Sequence, residues 1–221
     1  MKTIQLSLPY GFGLVNSYLI QTAEGFILID TGSSNQRADL EDELRHAGCQ
    51  PGNFRLIVIT HGDFDHTGNA AYLRGKFDTK IAMHAEDAGM AERGDMFWNR
   101  KKGNPLFRIL VPVLFRFKTP DRFTPDIALG EGDNLTEYGL DAKVLSIPGH
   151  SKGSIGILTA DGELFCGDLL TNLERPVLNA IMDDGAVARK SIEKLKTQNV
   201  RVVYPGHGKP FPWEAFLGNI R

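Results

Sequence analysis

Hydrophobic and polar positions alternate from the first residues of the chain, with Thr3, Gln5 and Ser7 interleaved between Ile4, Leu6 and Leu8. A period of two marks a strand with one buried face. The pattern predicts strands over residues 3–8, 15–21 and 25–30, parted by Pro9-Tyr10-Gly11 and Ala23-Glu24. The period then changes. Leu40 and Leu44 stand four apart behind Ser34 and Asn35, which offer caps, and ahead of Gly48, which predicts a helix over residues 38–47. Leu56-Ile57-Val58-Ile59 is apolar without interruption, as in a strand covered on both faces, and runs directly into Thr60-His61. A short helix over 69–73, a strand over 80–83 and a helical stretch from Ala85 follow. The second half repeats the logic, with strands over 142–147, 154–159, 163–166 and 201–204 and a helix over 187–197. No linker, low-complexity tract or long-period repeat divides the chain. The expectation is one α/β domain over residues 1–221, two sheets packed face to face with helices outside.

Residues 93–125 break this pattern. Phe97, Trp98, Phe107, Leu110 and Phe117 are interrupted there by Arg100, Lys101, Lys102, Arg108 and Arg116. Such a segment packs its apolar face on the core, forms a lid or rim over a pocket or a homodimer contact, or lies on a membrane surface. Hydrophobic residues are 42% and charged residues 24% of the chain, as in a globular protein with a full core. The 25 basic and 27 acidic side chains leave a formal charge of −2, without the basic excess that phosphate-backbone binding needs, so no nucleic-acid partner is expected. Cys49 and Cys166 cannot build a disulfide framework and read as reduced core thiols. The longest apolar run, residues 109–115, contains Pro112 and is too short to span a bilayer, and the alternating N-terminus does not read as an export signal. These features predict a soluble cytoplasmic protein with a small-molecule substrate and no membrane span.

The candidate chemistry is concentrated at predicted strand ends. Six histidines occur, and four lie beside glycine and acidic residues. Thr60-His61-Gly62-Asp63-Phe64-Asp65-His66-Thr67-Gly68 offers His61, Asp63, Asp65 and His66 within six residues. His150 follows Pro148-Gly149, Asp168 follows Cys166-Gly167, and His207 follows Pro205-Gly206. Neutral imidazoles and carboxylates are the usual ligands of a catalytic divalent metal, which keeps a position open for water. Seven such groups are too many for one tetrahedral ion and suit two ions with a shared carboxylate. His84 reads as a cap or surface residue, His46 as a residue favoured near a helix C-terminus, and Lys152 as a solvated lysine or a contact for an anionic substrate group.

The order Asp30-Thr31-Gly32, HGDFDHTGN, PGHSKGS, FCGDLL and YPGHG resembles the metallo-β-lactamase superfamily of metallohydrolases over nearly the whole chain. The resemblance implies a four-layer αββα sandwich with a dinuclear centre at one edge between the sheets. It implies a first ion on His61, Asp63 and His150, and a second on Asp65, His66 and His207 with Asp168 between them. Asp30 would then support the loop from His61 to His66. The common family pattern is His-x-His-x-Asp-His, and Asp63 stands where its second histidine belongs. Three carboxylates against two divalent ions leave +1 rather than +2, and a hard oxygen ligand favours iron or manganese relative to zinc.

Two divalent ions (zinc, iron or manganese) can generate hydroxide near neutral pH and polarise a carbonyl or phosphoryl oxygen, with Asp65 as the catalytic carboxylate that steers the nucleophile. The expected activity is hydrolysis of a small ester, thioester or lactone. Phosphodiester cleavage ranks lower, and a diiron redox role or a non-catalytic ligand-binding member of the same fold are the alternatives.

Overall fold

The computed structural model describes residues 1–10, 13–100 and 121–219. Residues 101–120, the greater part of the expected 93–125 insertion, lie outside the described residues. Strands β1 (Lys2–Tyr10), β2 (Gly13–Thr22), β3 (Gly25–Ile29), β4 (Phe54–Ile59), β5 (Ile81–His84) and β6 (Ile127–Leu129) form one sheet in sequence order. The first three are antiparallel, and from β3 onward neighbours are parallel. The second sheet draws on β7 (Ala142–Ser146), β8 (Ile155–Thr159), β9 (Glu163–Asn172), β10 (Val177–Leu178), β11 (Val202–Gly208) and β12 (Phe211–Pro212). Its order is β12-β11-β9-β8-β7, with β10 paired to β9 and only the β9–β11 pair parallel.

Successive side chains of a strand point to opposite faces, and this creates the layers. Along β3 and β4, Ile27, Ile29, Leu56 and Val58 point inward to meet Val144, Ile155, Ile157 and Phe165 of the second sheet. Their neighbours Phe26, Leu28, Ile57 and Ile59 point outward, against Leu40 and Leu44 of helix α1 (Arg37–His46) and Leu73 and Phe77 of helix α3 (Ala70–Phe77). On the far side, Leu145, Leu158, Leu164 and Cys166 pack with Ile192 and Leu195 of helix α5 (Gly185–Lys196) and Phe216 of helix α6 (Trp213–Asn219). Three apolar interfaces therefore separate four layers, helix, sheet, sheet and helix, as expected. The short α2 (Phe64–Thr67) and α4 (Ala85–Arg93) complete the helices used below.

Gly48 does end α1: at φ 93 its amide N–H donates to Arg45 O, and the next amide, of Cys49, donates to Leu44 O. His84 caps α4 by accepting from the Glu86 amide. The expected strand over 163–166 is instead ten residues long, because Gly167 takes a positive φ of 50° and lets β9 continue past the polar break at Asp168. β6, β10 and β12, at two or three residues each, are too short to leave a periodic signal.

Candidate metal centre

Four strand ends converge at one edge of the sandwich. β4 delivers Thr60 and His61, α2 carries Asp65 and His66, the turn after β7 carries His150, and β9 and β11 carry Asp168 and His207. All four imidazoles present Nε2 to a common space because each Nδ1 is engaged elsewhere. His66 Nδ1 donates to Asp30 Oδ2 at 2.8 Å, His150 Nδ1 to Ile181 O at 2.7 Å and His207 Nδ1 to Leu14 O at 2.8 Å. Those acceptors carry no proton, so Nδ1 must, and the neutral ring keeps its lone pair on Nε2. His61 Nδ1 donates to Thr60 Oγ1 at 2.9 Å, whose own hydrogen goes to Asp30 Oδ2 at 2.7 Å.

The ligand atoms form two adjacent trios, each within 4.8 Å: His61, Asp63 and His150, and Asp65, His66 and His207. The His61 and His66 rings lie 4.1 Å apart between centroids, so the trios abut. Asp168 touches the second trio directly, with Oδ1 3.4 Å from His66 Nε2 and Oδ2 3.4 Å from His207 Nε2, and its charge is felt by His61 and His150. Asp65 Oδ2 lies 3.4 Å from His207 Nε2 and 3.9 Å from His66 Nε2. Thus the seven residues expected from the sequence come together.

The donor set fits divalent ions. His61 Nε2, His66 Nε2 and Asp168 Oδ1 are buried with no hydrogen-bond partner, a costly state unless a cation takes their lone pairs. The ligand atoms of a third trio, Asp30, His61 and His66, also lie within 4.8 Å of one another. Asp30 does not act as a ligand there, because its oxygens already accept from Thr60 N, Thr60 Oγ1 and His66 Nδ1. It is a support for the loop, as expected, and its backbone is left-handed at φ 58.

The acids draw protons onto the imidazoles. Burial works against a charge on His207, yet Asp168 and Asp65 overcome it and push the imidazole up to about 10. His66 is lifted well above its ordinary value despite burial, by Asp168, Asp30 and Asp65, and His150 is raised by Asp63. His61 goes the other way: burial, then the neighbouring His66 and His150, hold it well below the imidazole range. Burial raises Asp168, but His207 and His66 outweigh it and keep the acid ionised.

Two charged residues at the site escaped the sequence analysis. Asp87, in the first turn of α4, is fully buried and accepts from Gly62 N at 3.0 Å, Ser151 Oγ at 2.5 Å and Gly153 N at 2.8 Å. One carboxylate therefore ties the His61 loop to the His150 loop. Its sequence signal was an acid near a helix start, which ordinarily means no more than a favourable dipole contact. Arg100, from the aberrant segment, reaches inward to pair with Asp63 Oδ1. Burial alone would raise the Asp63 acid; the guanidinium and His150 hold it well below the usual carboxylate range. Arg100 also enters the charge count. Three carboxylates and one guanidinium against two divalent ions leave +2, and Asp183, whose Oδ2 lies 3.6 Å from Arg100 Nε, brings the total back to +1. Lys152 is exposed in the turn after His150.

Gly206 is the tightest point of the cradle. A Cβ there would stand 2.2 Å from Asp168 Oδ1 and 2.6 Å from His66 Cε1. Gly206→Ala is expected to weaken divalent-ion binding at the Asp65–His66–His207 trio by ~10-fold or more, in line with mutations that disturb ligand support. Competition titration against a chromophoric chelator measures it; an unchanged affinity would show that the loop yields without moving Asp168.

Comparison with known proteins agrees with this geometry. A family model described as the metallo-beta-lactamase superfamily matches residues 10–207. The acyl-coenzyme A thioesterase MBLAC2 of Bos taurus is 28% identical over 91% of this chain and 76% of its own length. The hydroxyacylglutathione hydrolase GloC of Haemophilus influenzae is 30% identical over 53% of this chain and 50% of its own. Among solved structures, TTHA1623 in a di-iron-bound form superposes with a TM-score of 0.71 at 26% identity, covering 94% of both chains.

Proposed function

Because this chain belongs to the metallo-β-lactamase superfamily, we propose that it is a metal-dependent hydrolase of small esters, thioesters or lactones, with thioesters the first class to test. The observation that carries the reading is the convergence of four Nε2 atoms, with Nδ1 of each ring engaged by a hydrogen bond, on three buried carboxylates. His61, Asp63 and His150 would hold one ion and Asp65, His66 and His207 another, with Asp168 shared. Ions so placed supply Lewis acidity and a water that ionises near neutral pH. Asp65, with one oxygen near both His66 and His207, is the carboxylate to orient that water and take its proton. Asp63 supplies a hard oxygen, which supports iron or manganese, and the di-iron-bound relative is consistent with iron.

The rim supports an acyl substrate. Leu14 and Ile181 lend their carbonyls to His207 and His150, yet leave their side chains 48% and 70% exposed beside the site. Apolar groups so exposed next to a polar centre suit the hydrocarbon part of an ester or thioester. A relative named as an acyl-coenzyme A thioesterase and one named as a hydroxyacylglutathione hydrolase support the same reading.

A panel of acyl-coenzyme A and glutathione thioesters, lactones and phosphodiesters, assayed at known metal content, tests the proposal. Thioester or lactone turnover is expected to vanish on chelation, return on adding iron(II), manganese(II) or zinc(II), and be lost in Asp168→Ala. Turnover that survives complete metal removal, or cleavage confined to phosphodiesters, would overturn it.

A further inference from the structure

Arg100 is a fixed cation set against one half of a centre built to hold cations. Its side chain is 6% exposed, and its guanidinium remains charged at any pH the protein meets. Nη2 pairs with Asp63 Oδ1 and lies 3.4 Å from His150 Nε2. Nε lies 3.6 Å from Asp183 Oδ2, and neither of those atoms has a hydrogen-bond partner. The other Asp63 oxygen, Oδ2, stands 3.0 Å from His150 Nε2 and 3.8 Å from His61 Nε2, on the side of the first trio. One carboxylate is thus shared between a resident guanidinium and the lone pairs offered to an ion. Among the described residues, the ion-pair partners of Asp65 and Asp168 are His66 and His207, and no lysine or arginine makes a corresponding contact with either acid.

We propose that Arg100 makes the two metal positions unequal. By neutralising Asp63 it lowers the affinity of the His61–Asp63–His150 trio for a divalent ion, so the Asp65–His66–His207 position fills first and holds tighter. The physical cause is direct: a positive charge within contact distance of a ligand oxygen withdraws its electron density and repels an incoming ion at low effective dielectric. Arg100 is here a positioning residue that acts through Asp63. The inference rests on the metal-dependent reading above and adds an order of filling to it.

The test is a charge series at position 100, read as stepwise binding of manganese(II) or zinc(II) to chelator-treated protein by equilibrium dialysis and calorimetry. The wild-type protein is expected to bind two ions with separated constants. Arg100→Met and Arg100→Gln should tighten the weaker step at least tenfold and leave the tighter step unchanged, whereas Arg100→Lys keeps the wild-type separation. Circular dichroism identifies any variant that fails to fold, and two uncharged replacements keep the comparison available. Equal constants in the wild-type protein, or a weaker step that fails to tighten or loosens in both uncharged variants, would overturn the inference while leaving metal-dependent hydrolysis intact. A wild-type protein that binds no divalent ion would remove both.

Discussion

Asp30→Ala is expected to cost roughly 3–5 kcal/mol of unfolding free energy and to strip bound metal from the protein that remains folded. The carboxylate is buried and accepts three hydrogen bonds, from Thr60 N at 2.8 Å, Thr60 Oγ1 at 2.7 Å and His66 Nδ1 at 2.8 Å. Alanine leaves all three donors buried and unmatched, and a left-handed φ of 58° adds strain for a residue that lacks a short polar side chain. The loss reaches the metal through two rings. His66 loses the acceptor that fixes its tautomer, and Thr60 loses the partner that orients its hydroxyl toward His61. Asp30→Asn separates the causes, since the amide tolerates the same backbone and keeps one acceptor oxygen. Urea unfolding with metal analysis of the folded fraction measures both effects. An alanine variant with wild-type stability and full metal content would show that other contacts of the loop, such as Thr31 Oγ1 donating to His66 O at 2.9 Å and Asn69 Nδ2 donating to Thr31 O at 2.8 Å, hold it without the carboxylate.

The site was readable from the chain because its ligands stand beside local sequence signals. The ligands His61 through His66 fall within six residues, directly after an apolar strand, so local order alone puts them on one loop. His150, Asp168 and His207 each follow a predicted strand beside a glycine, and two-sheet packing brings strand ends to one edge. Phe26 through Ile29 is apolar at every position, so the strand was legible while the choice of which side chains face helices and which face the other sheet was not. What stayed hidden depends on long-range pairing with no local trace. Asp87 meets partners at Gly62, Ser151 and Gly153, up to 66 positions away, and its own neighbourhood is that of any helix start. Arg100 is one of several basic residues in an apolar stretch, and nothing in its sequence neighbourhood announces its contact with Asp63. β9 was cut short at Cys166 because a glycine followed by an acid ordinarily ends a strand, whereas here the turn at Gly167 lets Asp168 face the site within the same strand.

Metal binding is expected to strengthen steeply with pH, and the thermal stabilisation that metal confers should grow between about pH 6.5 and pH 10. His207 is pushed up to about 10 against burial by Asp168 and Asp65, so without an ion the ring is charged across that window. The sign follows from comparing the two states. A folded-state value above the unfolded one adds stability that is complete below the unfolded value, near 6.5, and fades as pH rises through the folded value, about 10. Chelator-treated protein should therefore melt at progressively lower temperature from pH 6.5 toward pH 10. A ligating imidazole must first shed its proton, so apparent affinity should gain about tenfold per pH unit for each proton displaced. His66 and His150, also raised, add to the slope, while His61, held well below the imidazole range, contributes none near neutrality. Calorimetric titrations with manganese(II) in buffers of different ionisation enthalpy count the protons released, and melting curves with and without the ion give the stability arm. Proton release close to zero at pH 7, or a metal-induced shift in melting temperature that is flat from pH 6.5 to pH 9, would mean that His66, His150 and His207 are already neutral and the carboxylates do not hold them charged.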